Sequence, residues 1–319
     1  MRVVVTGAAG FVGTHLCFSL AGSGHSVLAL DDLSHGVDSF SSRHPKKICF
    51  HEMDISKPGA DMQSLFRDFQ ADVVCHLADV SPASPAWDTC MFGRYVDALV
   101  NAAEASVGAG VQKFVYASSA DYLFGRQCDM PAKDTMKSRP ANLYGVHKHN
   151  CECIVTYLAA ASRLRWAAIR LPYVYGPSAR HLAKKARKGY CFISDALKRR
   201  GRPVIRVPGD GNQTRDFLWV GDAVAALEIA LRDRGLVGVA NVGTGIETPV
   251  RKVLDRIEEL TARKIRVEYL YKKKDDVPRS QVSAATMQEH RWRPKTGIVH
   301  GLESLVANGI EATYEGDGA

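Results

Sequence analysis

Tyr144 and Lys148 stand four residues apart and are the pair of side chains in this chain best suited to move a proton. In a helix, this spacing puts both side chains on one face, about 5–6 Å apart at Cβ. A nearby ammonium favours the phenolate over the phenol, so the tyrosine could act as a base near neutral pH. An ordinary surface contact would use the same spacing, so the chemistry depends on what lies nearby.

A glycine-rich turn at the start of the chain predicts a dinucleotide site. Gly7, Gly10 and Gly13 follow the apolar strand Arg2–Thr6 and open a helix expected over residues 11–21. In this setting the first glycine permits a tight turn, the second lets the backbone approach a pyrophosphate, and the third packs helix on strand. The free N–H groups of the helix favour phosphate. The spacing is Gly-x-x-Gly-x-x-Gly rather than Gly-x-Gly-x-x-Gly.

Acidic residues after the second expected strand favour NAD over NADP. Asp31 lies 18 residues after Gly13 (31 − 13). Its carboxylate should accept hydrogen bonds from the adenosine ribose and repel a 2′-phosphate. Asp32 could share this role, and Asp54 lies where an adenine contact is plausible. We therefore expect NAD as the cofactor.

The elements that must position these residues alternate between short apolar strands and helical stretches. Further strands are expected at 26–30, 71–78, 113–119 and 167–171, with helices at 95–109 and 143–161. This alternation is typical of an α/β fold with a doubly wound, Rossmann-type parallel sheet.

The chain changes character after Gly176-Pro177, where residues 178–202 are strongly basic. The α/β pattern then returns for a short stretch. We predict that a smaller, discontinuous C-terminal substrate domain interrupts and follows the sheet domain. The NAD-binding domain is expected to comprise residues 1–171 plus 214–246, and the substrate domain residues 172–213 plus 247–319.

The composition of the 319 residues narrows the class of protein. A net charge of +8 suits nucleotides and diphosphates, and equally nucleic acid. No signal peptide and no run near the roughly 18 apolar residues of a membrane span is evident, so we expect a cytoplasmic protein with no membrane partner. The eight cysteines form no Cys-x-x-Cys pair and the histidines no His-Glu-x-x-His motif. We therefore expect free thiols and no metal.

A series of motifs continues along nearly the whole chain. They are Thr6–Gly13, Asp31-Asp-Leu-Ser34, His76-Leu-Ala78, 114–119, Tyr144-x-x-x-Lys148, 170–177, 209–211, 214–217 and 241–245. In this order and spacing they resemble the extended short-chain dehydrogenase/reductases, specifically the NAD-dependent sugar-nucleotide epimerase/dehydratase branch. The resemblance implies oxidation of a sugar nucleotide at C4 by tightly held NAD, followed by epimerisation, dehydration or decarboxylation.

The resemblance also implies a set of site residues. Ser119 would hydrogen-bond the reacting sugar oxygen, and Tyr144 would be the base. Lys148 would lower the pKa of Tyr144 and bind the nicotinamide ribose. The cofactor-binding residues would be Gly7, Gly10, Phe11, Val12, Gly13, Asp31, Asp32, Ser34, Asp54, Ile55, Leu77, Ala78, Tyr144, Lys148 and Tyr173. The substrate-binding residues would be Asp79, Ser119, Tyr173, Val204, Arg206, Arg215 and Arg279.

Three positions depart from the pattern that the chain resembles. Tyr95 and Tyr173 stand where asparagine is common, and Asp79 stands where alanine is common. These changes point to an uncommon substrate or a specialised reaction.

The loop after Ser119 leaves two registers to compare. Counting from the strand puts Ser119 at the catalytic position, whereas counting back from Gly125 puts Ala120 there. We use the strand, because loops tolerate insertions better than strand ends. Asp121 then occupies the place of a dehydratase glutamate. It would be either a second catalytic acid or base, or a loop carboxylate facing water.

Three functions remain open. The first is NAD-dependent epimerisation at C4 of a UDP-sugar through a transient 4-keto intermediate. The second is sugar-nucleotide dehydration or UDP-glucuronate decarboxylation that uses Asp121. The third is a non-catalytic, NAD-containing binder of RNA or a protein partner. No RNA-recognition signature supports the third, so we expect no nucleic acid partner. The resemblance also implies a homodimer formed through the helices at 95–109 and 143–161.

Overall fold

A parallel seven-stranded sheet forms the centre of the protein in the computed structural model, which describes residues 1–34, 45–57, 61–79, 89–125, 129–179, 192–198, 203–271 and 276–312. Its strands are β1 (Arg2–Thr6), β2 (Ser26–Asp31), β3 (Ile48–Glu52), β4 (Val73–His76), β5 (Lys113–Ser119), β6 (Arg165–Leu171) and β11 (Gly238–Asn241). Their spatial order is β11-β6-β5-β4-β1-β2-β3. The predicted Rossmann-type α/β fold is confirmed.

Helices cover both faces of this sheet, which explains why its inner strands are almost continuously apolar. The helices are α1 (Phe11–Gly22), α2 (Met62–Asp68), α3 (Thr89–Gly108), α4 (Ala120–Leu123), α5 (Leu143–Ala160), α6 (Phe192–Lys198), α7 (Val220–Arg232), α8 (Val250–Thr261), α9 (Ala285–Glu289) and α10 (Ile298–Asn308). One buried cluster joins α1 and α7 to the sheet, and another joins α2, α3 and α5 to the opposite face. No helix in the described part of the chain is long and apolar enough to cross a membrane.

The chain reverses its direction of travel across the sheet between β1 and β4. Strand β1 pairs with β2 on one side and with β4 on the other. In open α/β sheets, ligands bind in the crevice outside the carboxyl ends of the strands at such a switch point. The residues that follow β1, β4 and β5 are therefore the natural place to look for a site.

Smaller sheets and a third core lie beyond the main sheet. The remaining strands are β7 (Tyr173–Tyr175), β8 (Ser178–Ala179), β9 (Val204–Pro208), β10 (Thr214–Trp219), β12 (Glu247–Pro249), β13 (Arg266–Leu270) and β14 (Glu311–Ala312). They pair as β12-β10-β7, β13-β9 and β14-β8. Side chains of α6, α8, α10, β7, β9 and β10 share one apolar cluster. The division into two domains stays a prediction.

Candidate active site

The glycine turn between β1 and α1 is tightly packed. Gly7 has a φ of +67°, and a Cβ there would lie 2.6 Å from the Ala78 amide nitrogen. A Cβ on Gly13 would lie 2.1 Å from the Gly7 carbonyl oxygen. These positions accept only glycine, since real Cβ atoms do not approach backbone so closely. The turn holds the N-terminus of α1, with Phe11 and Val12 in its first turn, beside Leu77 and Ala78. This arrangement fits a dinucleotide pyrophosphate.

Asp31 closes one side of this turn at the end of β2. Its carboxylate accepts hydrogen bonds from the backbone N–H of Ala9 at 3.0 Å and of Leu33 at 2.8 Å. Burial raises the pKa of Asp31 to about 6, although both backbone N–H groups oppose this rise. At neutral pH it is therefore mainly a carboxylate, placed beside the glycine turn as the ribose-binding prediction requires.

Arg94 is a residue that the sequence reasoning missed. Its guanidinium lies 2.5 Å from Asp32 and 3.2 Å from Asp54, and it also donates to the Ser56 hydroxyl. It thereby joins α3 to two of the carboxylates predicted to bind the cofactor. The sequence carried no local signal for these contacts, because Arg94 lies 62 residues from Asp32 and 40 residues from Asp54.

The side chains of Tyr144 and Lys148 lie together on α5, as their spacing predicts. The Lys148 Nζ is 5.6 Å from the centroid of the Tyr144 ring. The side chain of Asn142 caps the helix by accepting from the Gly145 N–H at 2.9 Å. A Cβ on Gly145 would lie 2.4 Å from the Tyr122 carbonyl oxygen, so this glycine lets α4 and α5 approach closely. As a result, the Tyr122 ring packs edge-on against the Tyr144 ring.

Ser119 is the last residue of β5 and pairs with Leu171 of β6. Ala120 begins α4, and its side chain is buried in a small apolar cluster with Phe124 and Val282. This agrees with the register counted from the strand. Within the described chain the Ser119 side chain makes no hydrogen bond, which leaves its hydroxyl available at the carboxyl edge of the sheet. The role of Ser119 in catalysis stays a prediction.

A buried ion pair joins α5 to the main sheet near the carboxyl end of β5. The Arg170 guanidinium of β6 makes two hydrogen bonds to the Glu152 carboxylate of α5, at 2.8 and 2.7 Å. The Ser118 hydroxyl donates to the same carboxylate at 2.5 Å. The strand residue next to Ser119 is therefore tied to the helix that carries Tyr144.

Asp79 has contacts that its predicted role as a substrate ligand did not include. Its Oδ2 lies 2.8 Å from Lys148 Nζ and 2.9 Å from His147 Nε2. Burial alone would raise the pKa of Asp79, but the charge of Lys148 and the hydrogen bond from His147 hold it well below its usual range. Asp79 is therefore an anion in direct contact with the predicted catalytic lysine.

Asp121 is buried and does not face water, so the alternative of a solvated loop carboxylate is wrong. It accepts a hydrogen bond from the Ser280 hydroxyl. Burial raises its pKa to about 6, against the opposing charge of Arg215. A carboxyl group with this pKa can give or take a proton near neutral pH.

The predicted substrate arginines differ in their surroundings. Arg215 is buried, donates to the Val277 carbonyl at 2.8 Å and lies 3.5 Å from Asp276. Arg279 makes a bidentate pair with Glu247, which also accepts from the Thr214 hydroxyl next to Arg215. The structure thus brings Arg215 and Arg279 to neighbouring segments.

The other residues predicted to bind substrate lie on strands that contribute to the third apolar cluster. Arg206 is exposed on β9, two residues after Val204, and lies 3.3 Å from Glu268. The Tyr173 ring packs against the rings of Phe192 and Phe217. In the predicted basic segment, residues 180–191 and 199–202 lie outside the described residues.

Comparison with known proteins bears on the whole of this site. A model described as the NAD dependent epimerase/dehydratase family matches residues 3–243. The UDP-glucose 4-epimerase of Mycolicibacterium smegmatis is 31% identical over 311 residues, which cover 96% of this chain and 97% of the relative.

Solved structures show the same architecture. The UDP-glucose 4-epimerase of Thermotoga maritima, crystallised with UDP-glucose, superposes with a TM-score of 0.85 and 27% identity over 96% of this chain and 98% of that one. The Thermus thermophilus UDP-glucose 4-epimerase, in complex with NAD, gives a TM-score of 0.83 and 28% identity over the same shares, 96% and 98%. Together with the family match, these findings confirm the prediction of NAD as the cofactor.

The packing of Gly13 predicts a selective loss of NAD binding. In Gly13→Ala, the new methyl group must displace the Gly7 carbonyl and with it the turn, so we expect NAD to bind about tenfold more weakly or worse. Gly22→Ala is the matched control, because a Cβ at Gly22, on the same helix, meets no atom within 4 Å. Calorimetric titration with NAD measures both. Equal affinity of the two variants would contradict the assigned role of the turn.

Proposed function

We propose a specific reaction for this chain, which belongs to the NAD dependent epimerase/dehydratase family: inversion of a UDP-sugar at C4 through a transient 4-keto intermediate. The observation that carries the proposal is the placement of the Lys148 ammonium 5.6 Å from the Tyr144 ring. The pair stands next to the end of β5, where Ser119 presents a hydroxyl. A base, a cation that favours its charged form and a donor for the substrate oxygen are what reversible oxidation of an alcohol requires.

The side chains divide the work at the sugar. NAD, when bound, supplies the two-electron acceptor for C4 and returns the electrons afterwards. The Tyr144 phenolate takes the proton from the C4 hydroxyl and holds it while C4 is a ketone. Lys148 stabilises the phenolate, and the Ser119 hydroxyl donates a hydrogen bond to the C4 oxygen. Tyr144 gives the proton back when the ketone, presented by its other face, is reduced.

The nucleotide half of the substrate would be held by Arg215 and Arg279. Arginine suits diphosphate oxygens because its planar group makes two parallel hydrogen bonds. In the structure the Arg279 guanidinium makes two such hydrogen bonds to the Glu247 carboxylate. A diphosphate would compete with Glu247 for this guanidinium. Val204 and Arg206 on β9 remain our candidates for contact with the uracil. The Thermotoga relative was solved with UDP-glucose, which supports a UDP-sugar as the ligand.

We also propose that the protein is a homodimer formed through α3 and α5. Leu143, Val146 and Tyr157 are exposed along one face of α5, at spacings that return to the same side of the helix, and Val107 is exposed on the neighbouring α3. An apolar face of this kind is typical of an association surface.

Turnover should depend on the Tyr144 phenol. The purified protein, incubated with UDP-galactose, UDP-glucose, their N-acetyl forms and UDP-glucuronate, should convert at least one of them into its 4-epimer. Tyr144→Phe should lower this rate by about 10²–10⁴-fold, because the proton acceptor is lost. Product NMR measures both. Tyr271→Phe, at a tyrosine that is 87% exposed, is the control. If every UDP-sugar returns unchanged, the proposed reaction is wrong.

The second candidate reaction is elimination with Asp121 as an additional acid or base, favoured by its pKa of about 6. Dehydration or decarboxylation changes the mass of the sugar, whereas epimerisation conserves it. If the second candidate is right, Asp121→Asn should abolish loss of water or carbon dioxide in mass spectra, because the amide cannot exchange the proton. Under our first proposal, no mass change occurs with either protein. Full elimination activity in the variant would rule out this role for Asp121.

The proposed dimer makes a separate prediction. Tyr157→Arg places a charge on the exposed face of α5, where Tyr157 is 72% exposed, and should yield a monomer. Tyr271→Arg changes an even more exposed tyrosine away from α5 and should stay dimeric. Sedimentation analysis measures the mass of each. A parent protein that is monomeric at micromolar concentration would contradict the proposal.

A further inference from the structure

A carboxylate at the end of β4 enters the catalytic scheme through the lysine rather than through the sugar. The side chains of Asp79, His147 and Lys148 are 10%, 0% and 5% exposed, so the three form a buried cluster. The proposed reaction assigns roles to Tyr144, Lys148 and Ser119, and this arrangement indicates a role for Asp79 as well.

We propose that Asp79 is a positioning residue, which holds the Lys148 ammonium in place and weakens its pull on the Tyr144 phenol. The inference builds on the proposed function, in which Tyr144 is the base. It concerns how strongly that base is activated, and it makes this chain differ from a site where the lysine is an uncompensated cation.

The geometry fixes the ammonium from two strand ends. Lys148 Nζ donates to Asp79 at 2.8 Å and to the Ala117 carbonyl of β5 at 2.8 Å. An ammonium has three N–H donors. In the described structure two of them are used in this way, and the third remains for the tyrosine or a ligand. A long, flexible side chain is thereby held at one distance, 4.9 Å, from the Tyr116 ring and 5.6 Å from the Tyr144 ring.

His147 fixes the carboxylate in turn. Because an ionised carboxylate can only accept hydrogen bonds, the Nε2 of His147 must carry the proton in this contact. The imidazole ring packs edge-on against the rings of Phe92 and Tyr95, which restricts its rotation. Asp79, which follows β4, is therefore held by two neighbouring residues of α5, His147 and Lys148.

Among the described residues, Asp79 is the anion in direct contact with Lys148. Burial keeps three other groups neutral: it lowers the pKa of His76 to about 3, raises that of Tyr116 well above its usual value and raises that of Cys151 to about 12. Among the described residues on α3, α4, β5 and β6, which pack against α5, the other titratable or charged groups fall into two sets. Some are paired or lie in ring contacts: Tyr95, Tyr122, Arg94 with Asp32 and Asp54, the Glu152–Arg170 pair, and Asp121 bonded to Ser280. The rest are the exposed Asp97, Glu104 and Arg165, and Lys113, which donates to two backbone carbonyls. Tyr144 consequently faces a cation–anion pair, which favours the phenolate less than a lone ammonium would.

Direct titration of the Tyr144 phenol tests this proposal. The ultraviolet difference spectrum between the parent and Tyr144→Phe, recorded with NAD and without substrate, reports the phenolate as pH rises. Asp79→Asn removes the negative charge but keeps a hydrogen-bond acceptor for Lys148. We expect its Tyr144 titration to move to lower pH by about one unit. Asp79→Ser, a smaller neutral acceptor, should move it in the same direction.

The control removes the same charge elsewhere. Asp68→Asn, on the exposed face of α2, should titrate with the parent. Circular dichroism establishes that each variant is folded. An unchanged titration, or one shifted to higher pH, in a folded Asp79 variant would overturn the proposal. Because no sugar is present, this result is independent of the proposed reaction: failure to convert any UDP-sugar would sink that proposal and leave the phenol titration to decide this one.

Discussion

The buried ammonium of Lys148 is the interaction on which the arrangement of the site depends. Burying a charge costs several kcal/mol unless it is paired and hydrogen-bonded. Here the compensation comes from Asp79 after β4 and from the Ala117 carbonyl of β5. Satisfying one cation therefore fixes the relative positions of two strand ends and of α5, and Tyr144 one turn away is positioned as a consequence.

A second buried pair repeats this logic at the next turn of α5. Glu152 takes both hydrogen bonds from Arg170 of β6, and it also accepts from Ser118. Removing one partner of such a pair typically costs about 3–5 kcal/mol, because the other charge stays buried alone. The helix that carries the predicted base is thus fastened to β5 and β6 by charge as well as by apolar packing.

Local sequence patterns were sufficient to predict the structure where the local backbone geometry accepts a single residue type. The glycines of the first turn are examples. Gly7 has a left-handed backbone conformation, and a side chain at Gly13 would clash with the carbonyl oxygen of Gly7. The strand ending at Ser119 was also predictable, since the apolar run 114–117 is followed there by two serines. The contacts of Arg94 and the bond between Asp121 and Ser280 were not, because their partners lie 38 to 159 residues apart in sequence.

The sequence by itself determined the fold class, NAD as the cofactor and the pair of residues suited to proton transfer. Each of these follows from short-range spacing: alternating elements, a glycine turn before a helix, and a four-residue step on one helical face. Only the tertiary structure decided the electrostatic setting of that pair. Whether Asp79 meets Lys148 or a substrate, and whether Asp121 meets water or Ser280, depends on how separate strand ends converge. Charge interactions follow distance in space, which position along the chain does not reveal.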